Sequence, residues 1–68
     1  MTKYMIFVQD EYEPDKEVPL KKIKREKEAI AFVGDVTNLK KYGCMSLVKE
    51  TDDGRYKYNE ENREWMLA

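Results

Sequence analysis

The chain of 68 residues contains no histidine, and its single cysteine has no disulfide partner within the chain. Without histidine, a serine–histidine–aspartate triad, a histidine acid or base and a mixed histidine–cysteine zinc site cannot be assembled. Cys44 would act as a nucleophile only if a base or a positive field lowered its pKa. We therefore expect a protein that is not an enzyme and that uses no cofactor and no metal.

The sequence also lacks a long hydrophobic run. The apolar stretch at residues 4–8 ends at Gln9 and Asp10, so it is too short for a signal peptide or a membrane span. A lone thiol is typical of a reducing compartment. These features predict a soluble, cytoplasmic protein with no membrane partner.

Neither sign of charge dominates, since 13 basic and 14 acidic side chains leave a formal net charge of −1. This balance argues against general nucleic-acid binding, which depends on an excess of cations. The charges are nevertheless clustered, because residues 9–17 are mainly acidic, residues 21–27 mainly basic and residues 50–64 mainly acidic. On a small, highly charged protein, such clusters are commonly solvated surfaces.

The N-terminal third predicts two strands. Residues 4–9 carry apolar side chains on both faces, which is typical of a central strand or of a strand with one face against a partner. Acids and Pro14 then predict a loop at 10–16. Residues 18–24 alternate as a second strand, which Pro19 would confine to a sheet edge. The alternative is a helix that begins at Pro19.

Residues 26–42 predict one helix, since apolar residues recur there at spacings of three and four. Acids in the first turn and lysines in the last match the helix dipole, and Gly43 is a stop signal. Gly34 inside this helix either permits a close approach to the sheet or is simply tolerated. The apolar stripe comprises Ala29, Ile30, Phe32, Val33, Val36 and Leu39.

The remaining residues predict a meander of strands at 44–50, at 55–59 and, as a short final strand, at 63–67, separated by turns at 51–54 and 59–62. The fold class is therefore α+β, a single helix packed on an antiparallel sheet of about four strands, in the order β-β-α-β-β; the alternative adds the short segment 63–67 as a further C-terminal strand. Residues 1–68 form one small domain. The expected core is Ile6, Val8, Ile30, Val33, Val36, Leu47 and Tyr56.

Two chemical interpretations are weaker than their structural alternatives. Asp52 and Asp53 offer oxygen ligands for calcium, but the spaced carboxylates of a calcium loop are missing and a hairpin turn accounts for the Asp-Gly pair. Cys44 falls on a predicted strand, where a free cysteine is usually a small buried residue. We expect a turn and a buried side chain.

Apolar residues exceed what one helix can cover. Met5 and Phe7, Met45 and Leu47, and Trp65 or Leu67 predict a second apolar sheet face, which usually binds a partner. The alternative is that one strand is assigned to the wrong face. The leading hypothesis is a protein that binds and modulates or inhibits another protein through this face, with acidic segments at its rim. The candidate residues are Met5, Phe7, Asp10, Glu11, Glu13, Asp15, Asp52, Asp53 and Trp65.

A nucleic-acid-binding module is the second hypothesis. Tyr56 and Tyr58 would stack on bases beside a basic patch; alternatively, they pack under the helix. The phosphate-contacting candidates are Lys21, Lys22, Lys24, Arg25, Lys27, Arg55 and Lys57.

Self-association is also expected, because a domain of this size without disulfides or metal gains little from its own core. Unpaired strand edges add a route to pairing with a second copy. We predict a homodimer or small homo-oligomer, held through a sheet face or edge, with Trp65 as an anchor.

The stretches KEAIAFV, LKKYG and DDGRYKY, together with a high content of Lys, Glu, Tyr and Asn, resemble the small uncharacterised proteins of phages and prophages of low-GC bacteria. The resemblance implies host take-over or counter-defence through stoichiometric binding of a host protein, in the host cytoplasm.

Overall fold

The computed structural model describes all 68 residues, Met1 to Ala68. Seven elements follow one another along the chain: β1 Lys3–Gln9, β2 Glu17–Ile23, α1 Glu26–Gly34, α2 Val36–Tyr42, β3 Met45–Thr51, β4 Gly54–Asn59 and β5 Glu64–Leu67. The strands form one antiparallel sheet in the order β2-β1-β3-β4-β5. The α+β class is confirmed, but the sheet has five strands and the helical segment contains two helices.

The prediction of one continuous helix was wrong because Asp35 interrupts it. Asp35 has an extended backbone (φ −73°, ψ 124°), and its carboxylate accepts a hydrogen bond from the Thr37 N–H at 2.9 Å. A carboxylate in that position is an N-cap, so a new helix begins at Val36. Gly34 ends α1, and a Cβ there would meet no atom within 4 Å, so close packing does not explain this glycine.

Residues 17–23 form a strand, as preferred from the sequence, and this strand lies at the edge of the sheet, where Pro19 is tolerated. The pairing with β1 shifts register between Ile6 and Phe7, which pair with Lys21 and Pro19. Leu20 is therefore the extra residue of a β-bulge, and it packs against the hydrophobic core.

The core lies between α1 and one face of the sheet. Five buried residues form it: Ile6, Ile23, Ala29, Val33 and Leu47. Helix α1 packs on β1, β2 and β3, so the strands β4 and β5 extend beyond its cover. Neither helix has the length and apolar composition that crossing a membrane would require.

Three of the predicted core residues are buried, namely Ile6, Val33 and Leu47. Val8, Ile30 and Tyr56 are only partly buried. Val36 is 63% exposed, so its assignment to the core was wrong. The physical reason is the break at Asp35, which ends the stripe that Val36 was expected to continue.

Cys44 is exposed, and its predicted burial on a strand was also wrong. Strand β3 begins one residue later, at Met45, so Cys44 lies in the turn that follows α2.

Both predicted hairpin turns are present. Thr51 pairs with Gly54 across the two-residue turn Asp52–Asp53, and Gly54 has a φ of 148°. In the second turn, the Asn59 side chain accepts hydrogen bonds from two backbone N–H groups, those of Glu61 (3.0 Å) and Asn62 (3.3 Å). These turns fix β4 and β5 beside β3.

Candidate functional site

The sheet face opposite α1 is called the open face here. Ile6 and Leu47 are paired across β1 and β3 and both point into the core. Since side chains alternate along a strand, their neighbours point to the other side. The open face therefore comprises Lys3, Met5, Phe7 and Gln9 of β1, Glu17, Pro19 and Lys22 of β2, Ser46, Val48 and Glu50 of β3, Arg55, Lys57 and Asn59 of β4, and Glu64 and Met66 of β5.

An apolar strip follows the two central strands of this face. Met5 lies directly opposite Val48, and Phe7 lies between Pro19 and Ser46. Met5 and Phe7 are half-buried, and Val48 is only 8% exposed although it lies outside the core cluster under α1. The sheet therefore has apolar surface on both sides at its centre, as the alternation in residues 4–9 predicted.

Two lysines flank the apolar strip. Lys22, Met5, Val48, Lys57 and Met66 form one row across the five strands. At the usual strand spacing, the two lysines stand about 14 Å apart with the apolar side chains between them. Both lysines are exposed, and neither takes part in an ion pair.

The acidic segments lie at opposite ends of the central strands. The Asp52–Asp53 turn joins the end of β3 that pairs with Lys3, whereas the loop 10–16 follows Gln9 at the far end of β1. The length of β1 separates these two ends by about 20 Å. A shallow groove lined by Asp15, Ser46 and Lys57 among others brings the loop to the border of the open face.

The loop 10–16 is internally structured. The Asp10 carboxylate accepts hydrogen bonds from the backbone N–H groups of Tyr12 (2.8 Å) and Glu13 (3.2 Å), and the Asp10 N–H donates to the carbonyl of Lys16 (2.9 Å). Asp10 is thus partly used in holding the loop. The free carboxylates at this end are the exposed ones of Glu11 and Asp15, since Glu13 pairs with Lys16 at 2.9 Å.

Trp65 does not join Met5 and Phe7. It lies opposite Tyr58 on the side of the sheet that carries α1, and its indole N–H donates to the Glu26 carboxylate at 2.8 Å. Met45 and Leu47, which the sequence suggested as further surplus apolar surface, also lie on that side.

Trp65 is the centre of an aromatic cluster beside α1. Its ring centroid lies 5.1 Å from that of Tyr58 and 5.9 Å from that of Tyr4, and the Lys49 Nζ lies 4.6 Å from the ring centroid. Partial burial and, second, the nearby charge of Glu26 raise the pKa of the Tyr4 phenol above its ordinary value. The cluster extends the core towards β4 and β5.

The basic segment is divided between the two sides of the sheet. Lys21 extends over the Phe32 ring at 5.2 Å on the side of α1, whereas Lys22 lies on the open face. Lys24 and Arg25 lie between β2 and α1. A shallow groove outside β2 is lined by Lys21, Lys22, Lys24, Arg25 and Phe32 together with Ile23 and Glu28. These cations form no ion pairs.

The other proposed phosphate contacts do not line that groove. Lys27 lies in the first turn of α1, and Arg55 and Lys57 lie on β4, three strands away from β2. Arg55 is engaged with Glu50, at 3.6 Å between Nε and Oε1. Tyr56 projects from the opposite face to these cations, but it lies on β4, beyond the strands on which α1 packs.

Sequence reasoning missed two parts of the surface. Met66, and not Trp65, is the apolar residue of β5 on the open face. The row that flanks Met5 and Val48 with Lys22 and Lys57 was not foreseen, since it depends on strand order and register. Met66 could have been identified from the second hairpin. If that hairpin pairs Tyr58 with Trp65 on the side of α1, the next residue, Met66, points to the open face.

No three side chains among histidine, cysteine, aspartate and glutamate are grouped closely enough to hold a metal ion. Comparison of the chain with protein-family models, with curated proteins and with solved structures finds no match.

Proposed function

We propose that this chain is a non-catalytic protein that binds another protein through the open face and thereby modulates or inhibits it. The observation that carries the proposal is the apolar strip of Met5, Phe7 and Val48, on the side of the sheet away from α1. An apolar strip on the free face of a small sheet has no role in the core beneath the helix. Such surfaces commonly bind a partner.

The charges around the strip support a proposal for the chemistry of the partner. Lys22 and Lys57 at the sides favour acidic groups, while the acidic segments at the two ends favour basic groups. The partner should therefore present a narrow apolar ridge with acids along its flanks and cations at its ends. Charges placed in this way add orientation and speed of association more than affinity.

The resemblance to small phage and prophage proteins supports a setting for this binding. A protein of this kind would act in the host cytoplasm, as a host take-over or counter-defence factor that occupies a host protein stoichiometrically. The open face suits this role because binding there needs no reactive group.

The test compares capture of proteins from nuclease-treated host lysate by matched variants. Phe7→Asp places a charge in the apolar strip, and Leu39→Asp places the same charge on an exposed position of α2. A partner of the open face should be captured by the wild type and by Leu39→Asp, and should be bound at least tenfold more weakly by Phe7→Asp. Equal capture by both variants would contradict the proposal.

Nucleic-acid binding is the second candidate, and the groove that gathers Lys21, Lys22, Lys24 and Arg25 without ion pairs favours it. Affinity for a fluorescent single-stranded oligonucleotide should then fall about tenfold or more between low and moderate salt, because several phosphate contacts would be screened. Replacing Lys22 and Lys24 with glutamine should reduce that salt dependence. A complex with a protein through the apolar strip should change little over the same range.

We also propose that the chain has no catalytic activity. This proposal rests on the lack of histidine and of a base beside Cys44. Turnover of any substrate that disappears in Cys44→Ala or Asp52→Ala would refute it.

A further inference from the structure

The two edges of the sheet differ in how they resist pairing with another strand. The edge strand β2 carries Pro19, which lacks an N–H, and a β-bulge, together with exposed lysines. Prolines, bulges and lysines are the usual protections of a sheet edge. The edge strand β5, although only four residues long, has none of these three, and it carries exposed apolar side chains, with Met66 49% and Leu67 79% exposed.

The hydrogen bonds of β5 identify which backbone groups are free. The Ala68 N–H donates to the Arg55 carbonyl at 3.1 Å, so these two residues form a hydrogen-bonded pair. Such pairs alternate along an antiparallel ladder, so Met66 also bonds to β4 whereas Trp65 and Leu67 do not. The N–H and C=O groups of Trp65 and Leu67 therefore point outwards from the edge.

We propose that β5 pairs antiparallel with β5 of a second copy of this chain, about a two-fold axis that passes beside Met66. In this register, Trp65 of each copy exchanges backbone hydrogen bonds with Leu67 of the other. In any other isologous register, Trp65 or Leu67 would lie opposite a residue outside β5. On the N-terminal side that residue would be Arg63, whose φ of 54° is not that of a strand.

The side chains are compatible with this register. Trp65 of each copy lies beside Leu67 of the other on the side of α1, and the two Met66 side chains lie next to each other on the open face. Glu64 lies opposite Ala68 of the other copy, so the two Glu64 side chains do not face each other. The two sheets continue into one, and their open faces lie on the same side.

A second copy does not fit the open face as well as it fits this edge. In a face-to-face dimer whose two-fold axis runs across the strands, each flanking lysine would lie over the same lysine of the other copy. With the axis along the strands, Lys22 of one copy would lie over Lys57 of the other. Lys22 and Lys57 would then repel one another across the apolar strip. The edge contact avoids this repulsion and leaves most of the open face available, so the inference does not depend on the proposed function.

The expected association is weak, since a four-residue edge buries less than the roughly 1,200 Å² typical of stable complexes. The purified chain should sediment as an 8.2 kDa monomer when dilute and approach twice that mass as concentration rises. In a second measurement, amide hydrogen exchange at Trp65 and Leu67 should slow as the protein concentration rises, while exchange along β2 should not change. This second measurement uses the wild type alone and does not depend on any variant folding.

The decisive variants change Met66, because the Met66 side chains of the two copies lie next to each other at the two-fold axis. Met66→Lys and Met66→Glu each place like charges together at the axis, so each alone should be monomeric at all concentrations tested. Mixing the two should restore a dimer, because opposite charges then meet. Val36→Lys, at an exposed position of α2, is the matched control and should dimerise like the wild type.

A monomer at every concentration would overturn the proposal, as would Met66 variants that dimerise normally or fail to restore a dimer when mixed. Association that survives in both Met66 variants but is lost in Phe7→Asp would place the contact on the open face, and would equally overturn it. If the β5 dimer forms but Phe7→Asp captures partners as well as Leu39→Asp does, the result would count against the proposed function alone.

Discussion

The two faces of the sheet differ in composition although both follow from the same alternation of side chains. The face under α1 is closed by Ala29 and Val33 and is continuous with the aromatic cluster around Trp65. The open face has a narrower apolar strip bordered by Lys22 and Lys57. The first face is built for burial by the chain itself, whereas the second combines apolar area with charges that remain in water. The difference suggests that stability depends mainly on one face and binding on the other.

The largest expected effect is a difference between the two faces in how much a truncated side chain lowers the free energy of unfolding. Leu47→Ala should lower the free energy of unfolding by about 2–5 kcal/mol, because it leaves a cavity under α1. Met5→Ala, on the half-exposed strip, should cost about 1 kcal/mol or less. Urea unfolding followed by tryptophan fluorescence measures both. If Leu47→Ala does not fold, the milder core substitution Ile6→Val can replace it and should lower the free energy of unfolding by about 1 kcal/mol.

Equal losses for Met5→Ala and Leu47→Ala would break the comparison, as would a Met5→Ala loss well above that of Ile6→Val. The strip would then be a second core that the chain needs for its own stability.

A smaller effect is expected at the break between the helices. Asp35→Ala removes the acceptor of the Thr37 N–H and should lower the free energy of unfolding by about 1 kcal/mol. Asp35→Asn keeps an acceptor and should cost much less. If Asp35→Ala were as stable as the wild type, the cap would not be what starts α2.

The side of the sheet under α1 also predicts a pH dependence. Burial and the charge of Glu26 raise the pKa of Tyr4, so the folded state favours the neutral phenol. The resulting stability is fully present below the unfolded pKa near 10, and is lost as pH rises through the folded value. Ultraviolet titration of the tyrosines should show one phenol ionising above the others, and Glu26→Gln should lower its pKa. A Tyr4 that titrates unchanged in Glu26→Gln would exclude the carboxylate as a cause.

The smallest effect belongs to the charges of the open face. The Arg55–Glu50 pair is long, at 3.6 Å, and both side chains are largely exposed. Arg55→Gln should therefore change the free energy of unfolding by less than about 0.5 kcal/mol. Thermal unfolding at low and high salt measures it, and a loss above about 1 kcal/mol would mean that this face contributes to stability through its charges.

Much of the fold could be predicted from local patterns. Alternation at residues 4–9, the turn at Asp52 and Asp53, and the apolar stripe of residues 29–33 identified the elements and most of the core. The break at Asp35 could not be predicted in preference to one continuous helix, because aspartate is compatible with a helix interior as well as with an N-cap. Cys44 was misplaced by an error of a single residue in the start of β3.

The candidate surface was only partly predictable for a different reason. Met5 and Phe7 were assigned to a face of their own by alternation within β1, which needs no knowledge of neighbouring strands. The positions of the flanking lysines depend on strand order and register, which arise from long-range pairing, whereas Met66 required only the register of the second hairpin. Trp65 was grouped with Met5 and Phe7 because its aromatic size suggested a partner surface, but the second hairpin turns it to the side of α1.

The most direct test of the open face as a binding surface is a cross-saturation NMR experiment on the labelled chain with an unlabelled partner. Saturation of the partner should reach the methyl groups of Met5, Val48 and Met66. It should not reach those of Val36 and Leu39, which are exposed on α2. Transfer confined to the methyl groups of α2, with none at Met5 or Val48, would contradict the account.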